Sequence, residues 1–287
     1  MNMPAVASRS TGVSDRALTA LAVLAAVLIG AFVVAPPSLA ADGTSADLAD
    51  KRRLTAALRE SFVEYWRSGD RKLTPGLDRV VDYWFRYHVT KAAIAAVLLI
   101  VLVTLGVQLW TAFVRAGGAG AGRRVGLAAA GALVAMLAPV SLAMVMANIQ
   151  GAAAPWASLL PMLADGATEG PTVAALTQAR QRLADSQQRG GGTTPAVEAM
   201  INDFARYHAA MAVIAAVVAV ALIILSGVLW RRAARTGTSD RRARRVLRSF
   251  AVLSALSSLP VIVVLVANTL TAADPAPALL AFFDGGW

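Results

Sequence analysis

Five stretches of this chain contain no Asp, Glu, Lys or Arg: 17–41, 92–114, 125–164, 209–230 and 249–273. Each is long enough for the roughly 20 residues that a helix needs to cross a hydrocarbon core about 30 Å thick. A helix is required there because lipid offers bare backbone amides and carbonyls no partner. With 57% of residues hydrophobic, 15% charged and a mean hydropathy of +0.60, a soluble globular domain is excluded as the general reading.

Two of these runs open and close alike. Arg86-Tyr87-His88 leads into a run that ends at Leu109-Trp110, and Arg206-Tyr207-His208 leads into one that ends at Leu229-Trp230. Between those ends, Ile94-Ala95-Ala96-Val97 recurs as Ile214-Ala215-Ala216-Val217. The likeness extends upstream, where Thr74-Pro75 matches Thr194-Pro195. It also extends downstream, where Arg123-Arg124-Val125 matches Arg244-Arg245-Val246, Pro139 matches Pro260, Ala147-Asn148 matches Ala267-Asn268 and Leu159-Leu160 matches Leu279-Leu280. Self-similarity at a fixed period identifies a duplicated structural unit. An even number of crossings per unit leaves both copies facing the same way, a parallel rather than an inverted repeat.

The net charge of +10 would suit a nucleic-acid binder if it were spread over a surface. It is instead concentrated in three places: the segment before residue 17, the turn holding Arg115, Arg123 and Arg124, and the turn holding Arg231, Arg232, Arg235, Arg241, Arg242, Arg244, Arg245 and Arg248. These hold 13 basic and 2 acidic residues, a balance of +11 that exceeds the whole-chain value. That distribution is the positive-inside pattern of a multi-pass protein. It places 115–124 and 231–248 in the cytoplasm and exports 42–91 and 149–208. No nucleic-acid partner is expected. All but three of the basic residues are Arg and Ala is abundant, which indicates a bacterial source and a cytoplasmic-membrane location. The absence of cysteine excludes disulfides and thiolate metal sites.

The expected fold is therefore an all-α integral membrane protein of two tandem parallel repeats. Residues 1–41 form a signal peptide or a signal anchor. Ser38-Leu39-Ala40 before Ala41-Asp42 resembles a signal-peptidase site, and cleavage there is the expectation; the competing reading is an uncleaved anchor, a fifth crossing, because the apolar stretch is longer than the usual 7–15 residues of a signal core. Repeat 1, residues 42–166, holds exported helices over 48–91, crossings over 92–114 and 125–148, and an interfacial segment over 155–164. Repeat 2, residues 167–287, holds exported helices over 171–206, crossings over 209–230 and 249–272, and an interfacial C-terminus over 277–287.

Local signals support these elements. Leu54, Leu58, Phe62 and Trp66 step by four and form one stripe of an amphipathic helix. Thr74 reads as an N-cap with Pro75 at the first helical position, and nothing between Pro75 and Val114 breaks a helix. Such a helix would run about 60 Å, twice the hydrocarbon thickness. Trp110 and Trp230 are expected at the headgroup level, Pro139 and Pro260 are expected to kink the return helices, and Gly190-Gly191-Gly192 reads as a flexible joint.

Candidate chemistry is sparse. The two histidines, His88 and His208, occupy equivalent repeat positions and are the candidates for a bis-histidine haem, metal or quinone redox site. The competing reading makes Arg-Tyr-His an anchor at the outer water interface. Gly117-Gly118-Ala119-Gly120-Ala121-Gly122 lacks the Gly-Lys-Ser/Thr ending of a phosphate loop and reads as a turn. The polar residues of the crossings, Gln108, Thr104, Asn148, Asn268, Ser254, Ser257 and Ser258, include no ionisable group, which argues against proton-coupled transport.

No catalytic constellation, metal site or cofactor is expected. The expectation is a non-enzymatic interaction or assembly subunit, with a pore or permease component as the alternative. Its partners would be the lipid bilayer, other membrane or envelope proteins and a further copy of itself. The residues expected to build the exported interface are Arg86, Tyr87, Arg206, Tyr207, Trp66, Trp84, Phe85 and Phe204, with Phe62 packed among them.

Overall fold

The computed structural model describes residues 15–116, 120–164, 169–189, 193–237 and 240–285. The Gly190-Gly191-Gly192 joint, Arg9 and residues 117–119 of the first turn lie outside them. Among the described residues every regular element is helical. In chain order these are α1 (Asp15–Val34), α2 (Pro36–Ala40), a 3₁₀ turn (Ala46–Ala49), α3 (Lys51–Ser68), α4 (Pro75–Arg115), α5 (Ala121–Ala153), α6 (Pro155–Ala164), α7 (Pro171–Arg189), α8 (Pro195–Arg235), α9 (Arg241–Ala273) and α10 (Pro275–Phe283). Helices α1, α4, α5, α8 and α9 are each long and apolar enough to cross a bilayer, so the chain is an all-α membrane protein.

The long helices obey their sequence signals. Pro75 and Pro195 open α4 and α8, with Asp78 and Glu198 in the first turns, where a carboxylate complements the helix dipole. Both helices then run 41 residues without interruption. Thr74 and Thr194 hold the N-cap positions, but neither hydroxyl caps: each Oγ1 is buried without a hydrogen-bond partner. Pro139 and Pro260 sit inside α5 and α9, which continue unbroken through them. Gly106 of α4 faces Val134 of α5 so closely that a Cβ would stand 3.3 Å from its methyl group. On α8, Ala215 and Ala219 are buried, as close helix approach requires.

At one end of the long helices lies a head with its own core. Asp50 caps α3 by accepting from the amides of Arg52 and Arg53, both at 3.0 Å, and Gly69 ends the helix in the left-handed conformation at φ 67°. The stripe Leu54, Leu58, Phe62 and Trp66 is buried as its spacing requires, against Leu77 and Val80 of α4, Leu183 of α7 and Met200 of α8. Cross-links tie the two halves of the chain together here. The Tyr65 hydroxyl donates to the Ala196 carbonyl at 3.3 Å, the Trp66 indole donates to Gln178 at 3.0 Å, and Arg71 pairs with Glu198.

The segment over 155–164, expected at the interface, packs into the head: Trp156, Leu159, Leu160 and Leu163 of α6 are all buried in its core. In α10, Leu279 is buried, and Leu280, Phe282 and Phe283 pack on the same core. Phe85 does not join it and stays 44% exposed, because it follows Trp84 by one position and so points about 100° away around the helix.

At the opposite end are the arginine turns. The Trp110 indole lies over Gly131 of α5, where a Cβ would come within 2.9 Å, and it meets the Phe250 ring of α9 edge-on at 5.4 Å. Trp230 is 54% exposed. Helix α1 lies along α4, with Ala25 buried among Leu98, Val101, Leu102 and Leu105.

Candidate functional site

The two Arg-Tyr-His motifs lie where α4 and α8 meet the head, and the structure gives each imidazole the same partner. His88 Nδ1 lies 3.0 Å from Asn148 Oδ1 on α5, and His208 Nδ1 lies 2.8 Å from Asn268 Oδ1 on α9. In both pairs the histidine and asparagine are 60 residues apart. Each asparagine donates its Nδ2 to the carbonyl four residues back, Met144 at 2.7 Å and Val264 at 2.8 Å. That donation leaves Oδ1 as the acceptor, so Nδ1 of each imidazole carries the proton and Nε2 the lone pair. The pairs clasp α4 to α5 and α8 to α9.

The surroundings differ between the two pairs. His88 meets Trp84 edge-on at 5.0 Å, and Trp84 stacks nearly parallel on Tyr87 at 4.7 Å. The Trp84 indole also donates to Ser158 of α6 at 2.8 Å. The Nε2 side of His88 lies against Gly151, where a Cβ would come within 2.7 Å of three ring atoms; Nε2 itself is buried without a partner. Position 151 is thus held to glycine by the imidazole, and no room remains there for an iron or a porphyrin edge. Around His208 the neighbours are Phe204 at 4.6 Å and Tyr207 at 5.4 Å. The structure commits each histidine to its own hairpin, and among the described residues no group of three or more His, Cys, Asp or Glu is placed to hold a metal ion.

The arginines of the motifs have separate tasks. Arg86 donates from Nε to the Ala40 carbonyl at 2.9 Å and from Nη2 to Ser45 at 3.0 Å, and pairs with Asp42 at 3.1 Å. The Asp42 carboxyl is held well below the usual carboxylate range by the Thr44 and Ser45 hydroxyls and then by Arg86. Together with the Tyr83 hydroxyl, which donates to the Pro37 carbonyl at 3.3 Å, Arg86 fastens residues 37–45 to α4. Arg206 instead faces Asp203 at 3.5 Å, and Asp203 accepts from the Ala157 amide in the first turn of α6 at 2.8 Å. Gln150 donates to the Tyr207 carbonyl at 3.2 Å and so links α5 to α8. The Lys91 ammonium sits over the rings of Phe32 at 4.5 Å and Tyr87 at 5.2 Å.

Among the expected interface residues, Trp66 is buried, Trp84, Tyr87 and Phe204 pack against the head core, and Phe85 remains outside it. The sequence matched Asn148 with Asn268 and counted both among the polar residues of the crossings, without pairing either with a histidine; their equal spacing from the two histidines was the signal that pairs them. Asp203 and Gly151 carried no such signal, since their counterparts at 83 and 271 are Tyr and Thr. Comparison of the chain with protein-family models, with curated proteins and with solved structures gives no match.

Proposed function

We propose that this chain is a non-enzymatic, multi-pass interaction or assembly subunit of a bacterial cytoplasmic membrane, built from two tandem parallel repeats. Its head lies on the exported side and its arginine turns in the cytoplasm. The observation that carries this reading is that both histidine–asparagine pairs are closed upon themselves. The groups best suited to chemistry are used to hold helices together. The head adds support, because a dedicated core formed by α3, α6, α7 and α10 with the ends of α4 and α8 is a construction for presenting a surface.

Helix α1 acts in this reading as a retained fifth crossing. The contacts of Ala25 with α4, and those of Arg86 and Tyr83 with the segment around the processing-like site, support retention. Cleavage after Ala40 would sever α1 from that network. The intact mass of the purified chain reads the outcome directly: a species lacking residues up to 40 rules out the anchor.

The role itself is tested in the cell with photo-reactive residues at Arg67 of α3 and Gln181 of α7, both exposed on the head, and at the lipid-facing Val217 as control. Discrete protein adducts from the two head positions, absent from the control, are expected. A head without adducts, together with proteoliposomes whose solute leak disappears in Gln108→Leu, would replace the subunit by a pore.

A further inference from the structure

Beyond the head and the histidine pairs, one concave feature stands at the arginine end of the second hairpin. A groove of ≈ 900 Å³ is lined by Trp230 of α8 and by Arg241, Arg244, Arg245, Arg248, Ser249, Val252, Leu253 and Leu256 of α9. The order of these residues is informative. Positions 241, 245, 248, 252 and 256 follow one another at spacings of three and four and so fall on one face of α9. That face is cationic for two turns and then apolar. Val252, Leu253 and Leu256 are exposed, and the apolar surface continues to Leu259 and Val263.

The lining holds four guanidinium groups and no carboxylate. Among the described residues Arg241, Arg244, Arg245 and Arg248 make no ion pair. Arg244 is fixed by donating from Nη2 to the Thr236 carbonyl at 2.9 Å, while its Nε is buried without a partner. Arg248 lies over the Trp230 ring at 6.0 Å. The one acid of this turn, Asp240, is occupied in capping α9, where it accepts from the Ala243 amide at 3.1 Å. In the first hairpin, Arg123 pairs with Asp15 of α1 at 3.1 Å, and among the described residues no helix equivalent to α1 serves the second. Topogenic charge requires only that arginines be present on one side of the membrane. It does not require them to line a groove continuous with an apolar strip.

We propose that this groove is a binding site for an anionic phospholipid. The headgroup phosphate sits among Arg241, Arg244, Arg245 and Arg248, and an acyl chain lies along Val252, Leu253 and Leu256 beside Trp230. Planar guanidinium groups suit phosphate because they offer paired donors, and a basic pocket at a helix end in the membrane is a known form of lipid recognition. The chemistry shared with a free phosphate ion is the anion on arginine; the apolar strip is what selects a lipid.

Native mass spectrometry of the full-length chain in detergent tests this with three probes: phosphatidylglycerol, phosphatidylcholine and inorganic phosphate. Retention of phosphatidylglycerol about tenfold above phosphatidylcholine is expected, the order of discrimination that one or two surface cations provide. Arg245→Lys with Arg248→Lys keeps the charge and hence the topology but loses the paired donors, and should remove most of that preference. Leu256→Trp fills the apolar strip without touching an arginine and should weaken retention of phosphatidylglycerol. Equal retention of the two lipids, an unchanged preference in both variants, or inorganic phosphate that displaces the lipid at equal concentration would each overturn the proposal.

Discussion

At the scale of single residues, the two histidine–asparagine pairs have equal geometry and unequal burial. Asn148 is 5% exposed, whereas Asn268 lies in a less covered part of its hairpin. Replacing either with leucine keeps the bulk and removes the acceptor for Nδ1–H, and an unsatisfied buried donor costs about 1–3 kcal/mol. Asn148→Leu should therefore lower the melting temperature in detergent clearly more than Asn268→Leu, as followed by helical circular dichroism. Equal shifts would mean that the first pair is no better shielded from water than the second. The pairs also show what a sequence can and cannot disclose about a site. The recurrence of Arg-Tyr-His made both histidines visible, but a histidine beside Arg and Tyr at the head of an apolar run reads as an interfacial anchor until its partner is known. The partner sits 60 residues away, and only the hairpin geometry brings the two helices into register.

At the scale of elements, α6 separates a core helix from a surface helix. The sequence merges it with α5 into one uncharged run over 125–164, because apolar side chains bound for lipid and for a protein core look alike when written out. The break at Ala154 turns the chain, and Trp156 enters the head, with Phe62 at 5.9 Å and Tyr65 at 6.0 Å between ring centres. A buried tryptophan truncated to alanine costs about 3–5 kcal/mol. Trp156→Ala should accordingly unfold the head at a much lower temperature, visible as loss of near-ultraviolet dichroism; an anchor at the membrane surface would leave that transition almost in place. Tyr65 offers a second measure of the same core. Burial, with a lesser push from Asp70, raises its phenol from 10.0 to about 12. The unfolded chain then ionises first, so the contribution of Tyr65 is complete below about pH 10 and is lost as the pH rises through about 12. Wild-type head stability should fall between pH 10 and 12 more steeply than that of Tyr65→Phe. Parallel curves would show that this phenol is not shielded in the fold.

For the whole molecule, the number and length of the long helices were readable because they depend on local rules. A run without charge must satisfy its backbone internally, and a chain without a breaker from Pro75 to Arg115 has no reason to stop. How the hairpins meet was not readable, since Trp110 against Phe250 and Gln150 against the Tyr207 carbonyl join residues more than fifty positions apart with no shared pattern. The polarity of the two hairpins rests on the arginine turns, and it can be measured because the chain has no cysteine of its own. Single-cysteine variants at Gly120, Gly237 and Gly43 report on the two turns and on the segment between α1 and α3. A side chain added at Gly120 or Gly43 meets nothing within 4 Å, so the probes there do not disturb the fold. An impermeant maleimide applied to intact spheroplasts should modify position 43 and leave 120 and 237 untouched until the membrane is opened. Labelling of 120 and 237 from opposite faces would break the parallel arrangement, because two hairpins fused to one head through α4 and α8 must send their turns to the same side. Labelling of all three from the same face would be more damaging still, since α4 would then not span the bilayer that its length and composition demand.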